Sequence, residues 1–80
     1  MKAKVSVSLK RGILDPQGQA VLHALSSLGY ADVKDVRVGK LIELELARND
    51  RAGAEAEVKA MCVRLLANTI IEEYRIELME

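Results

Sequence analysis

The chain has one cysteine, one histidine and one proline in 80 residues, and it has no phenylalanine or tryptophan. A lone Cys62 cannot build a disulfide framework, which points to a reducing compartment and away from a small secreted scaffold. Cys62 and His23 together fall short of a Cys/His metal set. Tyr30 and Tyr74 are the only aromatics, so the core must be aliphatic. Excess charge of either sign is missing too. Lys plus Arg and Asp plus Glu number 12 each, so the basic surplus of a nucleic-acid binder is absent. No apolar run approaches the roughly 20 residues of a membrane span. The start, MKAKVSVSLK, alternates and lacks a signal-peptide core. These absences predict a soluble cytoplasmic domain with no nucleic-acid partner and no membrane. A chain this short buries only about 60% of its unfolded surface. With no disulfide and no metal, self-association is the remaining common remedy for a small core.

Residues 1–80 read as one domain. Over residues 2–10, Ala3, Val5, Val7 and Leu9 alternate with Lys2, Lys4, Ser6, Ser8 and Lys10, the period of a half-buried strand. A helix is predicted from Pro16 to Leu28. Asp15 suits the N-cap and Pro16 the first helical position, where its missing N–H is no loss. Val21, Ala24, Leu25 and Leu28 form its apolar stripe. Gly29 suits the left-handed residue of a Schellman ending, with Tyr30 folding back on Leu25. Val33–Ala47 keeps one parity through Val36, Val38, Ile42, Leu44 and Leu46. Two readings fit that parity: two strands joined by a three-residue turn around Gly39, or one long bent strand. Asn49-Asp50 starts a second helix, Arg51–Leu66, with Val58, Met61, Cys62, Leu65 and Leu66 as its stripe. A last strand follows at Glu73–Met79.

The order, β-α-β-β-α-β or, if the middle strand is continuous, β-α-β-α-β, predicts a small α+β sandwich of ferredoxin-like type, with one antiparallel sheet and both helices on one face. The uncovered face would carry Ser6, Ser8, Arg37, Leu41, Glu43 and Met79. That mixture suits a moderately polar subunit interface.

No catalytic set emerges. His23 lies off the stripe of the first helix and reads as a surface residue. Cys62 lies on the stripe of the second and packs as a small hydrophobe. Glu72 and Glu73 would point to opposite faces of a strand. Gly12 and Gly18 do not form a phosphate loop, because Gln19 follows in place of Lys-Ser/Thr. The first helix start could hold an anion on its free N–H groups, but Asp15 would repel one.

Gly18 stands out. It occupies the third helical position, where Glu or Gln would complete a capping box. A glycine there suggests that something must approach the helix backbone closely, and the flanking Gln17 and Gln19 suit a protein–protein contact. On that reading Gly18→Glu should hold or raise the stability of the isolated chain while blocking assembly. Arg37, Gly39 and Lys40, two cations flanking a glycine, read equally as a solvated turn or as a docking charge pair.

The blocks GILDPQGQAV at 12–21, LGY at 28–30, VRVGK at 36–40 and LLAN followed by IE at 65–72 together resemble the PurS family across nearly the whole chain. The family pattern places proline after LLAN, where this chain has Thr69. The resemblance implies a small subunit of phosphoribosylformylglycinamidine synthase in de novo purine biosynthesis. It implies no catalytic, cofactor or metal residue on this chain. ATP and magnesium would belong to the large subunit. The partners would be a glutaminase subunit, the large synthetase subunit and further copies of the chain, as a dimer or tetramer. The docking candidates are Asp15, Pro16, Gln17, Gly18, Arg37, Gly39, Lys40 and Asn68. Two other classes share the strand order. One is a small-molecule-binding regulatory domain. The other is an RNA-recognition domain, which would need stacking aromatics on central strands that Lys4–Leu9 and Val36–Leu46 lack.

Overall fold

The computed structural model describes residues 1–79. Strand β1 (Lys2–Leu9) leads to helix α1 (Pro16–Ser27), strand β2 (Lys40–Glu45), helix α2 (Arg51–Met61) and strand β3 (Glu72–Met79). A π-helical turn, Cys62–Leu66, continues α2 directly. β1 is the central strand, antiparallel to β2 on one side and to β3 on the other. The fold is α+β, and its three-stranded sheet follows the order β-α-β-α-β, the alternative with a single middle strand, and not the four-stranded order.

The missing strand is Val33–Gly39, which lies outside the sheet. The middle segment contributes one strand, as the second reading has it, but a shorter one, since pairing begins only at Lys40. The cause is a competing acceptor. The Val38 N–H donates to Asp15 Oδ2 at 2.8 Å, across 23 residues, so it is not offered to a neighbouring strand.

Alternation puts Ala3, Val5 and Val7 at the centre of the core, all essentially inaccessible to solvent. Leu44 and Ile42 flank Ala3 and Val5 on β2, and Leu78 and Ile76 flank them on β3. Helix α2 covers this face with Ala54, Val58 and Cys62. These step by four residues, and the next buried residue, Ala67, is five further on. The wider step is the π turn, closed by the Ala67 N–H donating to the Cys62 carbonyl at 3.0 Å. It swings Leu65 outward to 83% exposure, so Leu65 leaves the predicted stripe while Leu66 stays half-buried.

Helix α1 does not share this core. Gly18 is its one buried residue, and no extensive packing joins it to the sheet or to α2. Val21 and Leu28 of its stripe are 41% and 74% exposed. The helix itself is well terminated. Gly29 is left-handed at φ 99°, the Tyr30 N–H reaches the Leu25 carbonyl and the Gly29 N–H reaches that of Ser26, as a Schellman ending requires. The molecule is elongated in consequence. Its radius of gyration is 15.9 Å, with extents of 48 × 26 × 14 Å, against about 12 Å for a compact domain of this length.

The other sheet face is polar. Lys4 stands between Glu43 and Glu77, Lys2 opposite Glu45, and Ser6 between Leu41 and Arg75, so unlike charges meet across strands. Ser6, Ser8, Leu41, Glu43 and Met79 share this face by register. Arg37 does not, because it belongs to the segment outside the sheet.

Candidate functional site, the junction where α1 leaves the sheet

The residues singled out in the sequence gather at one end of the sheet. Asp15 ends the β1–α1 connection and is 5% exposed. Its extended backbone suits an N-cap, and Oδ1 accepts the Gly18 N–H at 2.9 Å. Oδ2 accepts from Val38. One carboxylate therefore caps α1 and fastens the segment before β2. These two N–H groups, Gly18 first and then Val38, hold the Asp15 carboxyl below its ordinary value of 3.8, and the Arg37 charge adds to them.

Gly18 meets the backbone of Val36. A Cβ at this position would lie 2.1 Å from the Val36 carbonyl oxygen, an impossible distance. The close approach inferred from the sequence is real, but the approaching backbone is the chain's own. Gly18→Glu thus cannot stabilise the isolated chain by completing a capping box. Gly39 is similarly confined, since a Cβ there would lie 2.5 Å from the Val7 carbonyl oxygen.

Arg37 closes the junction from outside. Its guanidinium donates to the carbonyls of Arg11 at 2.7 Å and Ile13 at 2.8 Å. It is not a free docking charge. Asn68 lies beyond the π turn. Its side-chain oxygen accepts the Ile70 N–H and its carbonyl accepts those of Ile71 and Glu72. The Glu72 carboxylate in turn accepts the Asn68 N–H at 2.7 Å. Hydrogen bonds close this turn with Thr69 in it, so the link is ordered without a proline. Asp15, Gln17, Val38, Gly39, Lys40 and Glu72 line an open groove of ≈ 250 Å³. Pro16, Gln17, Lys40 and Asn68 are exposed around it.

His23 is exposed on α1 and Cys62 is buried under α2, so nucleophile and base are on different elements. Burial pushes the Cys62 thiol up, keeping it protonated. Among the described residues no cluster of three or more His, Cys, Asp or Glu could hold a metal ion.

Sequence reasoning missed the Val38 and Arg37 bonds, which span more than 20 residues. One local signal was available for the cap. Asp15-x-x-Gly18 recurs as Asp50-x-x-Gly53, and Asp50 Oδ2 likewise accepts the Gly53 N–H at 3.1 Å.

Comparison with known proteins decides what this junction belongs to. The family model for PurS, phosphoribosylformylglycinamidine (FGAM) synthase, matches residues 2–80. The chain belongs to the PurS family. It is 56% identical over 79 residues to the PurS subunit of phosphoribosylformylglycinamidine synthase from Bacillus subtilis, spanning 99% of this chain and 93% of that one. It superimposes on PurS of Methanocaldococcus jannaschii with a TM-score of 0.85 at 37% identity, over 99% of this chain and 98% of that one. That protein is one of the subunits of formylglycinamide ribonucleotide amidotransferase in the purine biosynthetic pathway. A chain in the structure of PurLQS from Thermotoga maritima matches with a TM-score of 0.88 at 31% identity, over 98% and 95% of the two chains. As a PurS-family chain, this protein is a subunit of FGAM synthase, and its exposed surfaces are those of one part of an assembly. Among the described residues, no helix is long and apolar enough to cross a membrane.

Proposed function

We propose that the chain is the non-catalytic assembly subunit of cytoplasmic FGAM synthase, bridging a glutaminase subunit and a large synthetase subunit. Glutamine-derived ammonia then reaches formylglycinamide ribonucleotide in an ATP-dependent step. ATP and magnesium act on the large subunit. The observation that carries this reading is the match along almost the whole chain to a component of the PurLQS structure. A small-molecule-binding regulatory domain is not favoured, because the junction groove is open and every buried polar side chain among the described residues already has a partner.

The chain also associates with itself, and α1 is where a second copy docks. An 80-residue domain that leaves a helix out of its core forgoes burial it can hardly spare. The exposed stripe of Val21, Leu28 and the flanking Tyr30 regains that burial against a copy of itself. Pro16, Gln17, Arg37, Gly39, Lys40 and Asn68, with the buried Asp15 and Gly18 behind them, form the surface offered to the other subunits.

Reconstitution tests the reading. Glutamine-dependent synthesis by the glutaminase and synthetase subunits should require this chain, whereas synthesis from added ammonia should need it far less. Equal glutamine-dependent rates with and without the chain would refute the assembly role.

A further inference from the structure

We propose that Asp15 is a positioning residue that fixes the direction in which α1 leaves the sheet, and so sets how readily a second copy of this chain docks on that helix. The inference rests on the reading that α1 receives a second copy. A helix packed on its own domain is aimed by side-chain interdigitation. Helix α1 has no such packing, so its direction depends on what grips its first turn. Three features do so. The Asp15 carboxylate ties the Gly18 N–H to the Val38 N–H, from opposite oxygens. Gly18 seats the first turn against the Val36 carbonyl. Arg37 pins the carbonyls of Arg11 and Ile13 in the connection that precedes the helix. Segment 36–38 is in turn anchored, because Gly39 lies on the Val7 carbonyl and Lys40 pairs with Val7. The chain of fixed contacts therefore runs from the central strand to the first turn of α1 through Asp15.

Asp15→Asn separates aiming from folding. Asparagine caps a helix about as well as aspartate, so α1 still forms. It has an NH₂ group where one of the two oxygens was, and Gly18 and Val38 donate to different oxygens, so one of the two N–H groups loses its acceptor. If the freed helix holds the docking direction about one tenth of the time, the apparent Kd rises about tenfold.

Spin labels at His23→Cys on α1 and Glu55→Cys on α2 read the direction, with labelled chain diluted into unlabelled chain so that distances are intramolecular. Adding Asp15→Asn should broaden the distance distribution while helical circular dichroism stays constant. At total chain concentrations low enough to keep the chain monomeric, an unchanged width would overturn the positioning role. Sedimentation equilibrium reads the second half, with the dimer Kd rising about tenfold for Asp15→Asn. Wild-type chain that stays monomeric at every concentration would overturn the docking of a second copy and leave the label result standing on its own. In the reconstituted synthase, Asp15→Asn should raise the concentration of this chain needed for half-maximal glutamine-dependent activity, and an unchanged half-maximal concentration would overturn the link between aiming and assembly.

Discussion

The two helices start with the same chemistry and end up in opposite situations. Asp15 caps onto Gly18, and Asp50 caps onto Gly53, three residues on in each case. Around Asp50 the supporting group is a side chain. Arg48 donates to both Asp50 and Glu57 on the surface, and that bond is the main cause holding the Asp50 carboxyl low. Around Asp15 the supporting groups are backbone N–H groups of two segments distant in sequence. The α2 cap is a local finish on a helix already held by Ala54, Val58 and Cys62. The α1 cap is the attachment of a helix held by little else. One sequence signal thus serves two purposes, and the difference comes from the packing beyond the first turn.

Substitutions can sharpen this contrast. The largest stability effect is expected in α2. Val58→Ala deletes two buried methyl groups and leaves a void, for a loss of about 2–3 kcal/mol. In a domain of this size that lowers Tm by roughly 4–8 °C per kcal/mol, readable by thermal denaturation. Next is the glycine pair. Gly18→Ala drives a methyl group into the Val36 carbonyl and should cost about 1–3 kcal/mol, as overpacking does. Gly53→Ala meets only the ends of the Asp50 and Arg48 side chains, which can turn aside. It also gains up to about 1 kcal/mol of helix propensity, so urea denaturation should place it near wild type. Equal losses from the two glycines would break the comparison.

Leu28→Ala on α1 should change the stability of the monomer by less than about 0.5 kcal/mol, as an exposed position allows. It should still weaken self-association in sedimentation. The smallest effect is the acid response. The Asp15 carboxyl is depressed in the folded chain, so its contribution is complete above the ordinary value of 3.8 and is lost as pH falls through the lower folded-state value. Asp15→Asn removes that component of the pH–stability curve. Urea midpoints measured on both sides of pH 3.8 should then converge for variant and wild type on the acid side.

Much of the fold could be read from local pattern. Strict alternation placed β1 and β3 to within a residue, and the Asp-Pro start and Gly29 stop bounded α1. The middle segment could not be read this way. Val36 and Val38 share the parity of Ile42 and Leu44, and strand parity says nothing about an acceptor 23 residues back. Leu65 was misplaced for a related reason. A 3.6-residue period has no provision for a π turn, and no residue in Cys62–Leu66 announces one. Gly18 was identified as a point of close approach, but its neighbour could be named only once Val36 had been placed. The separation of α1 from the core was illegible too, because an apolar stripe has the same spacing whether its cover is the same chain or another.

The π turn has a consequence for chain length. It is a one-residue surplus held in place between two buried positions. Removing one residue from Val63–Leu65 should let the segment revert to an α turn, with Ala67 arriving four places after Cys62 and still beneath it. The same deletion at Glu55–Glu57 would rotate everything after it by about 100° and turn Val58 and Cys62 off the sheet. The helix therefore has a site where its length can change by one without a change of face. Expression and thermal melting of the two deletion variants, the first folded and the second not, would locate that site.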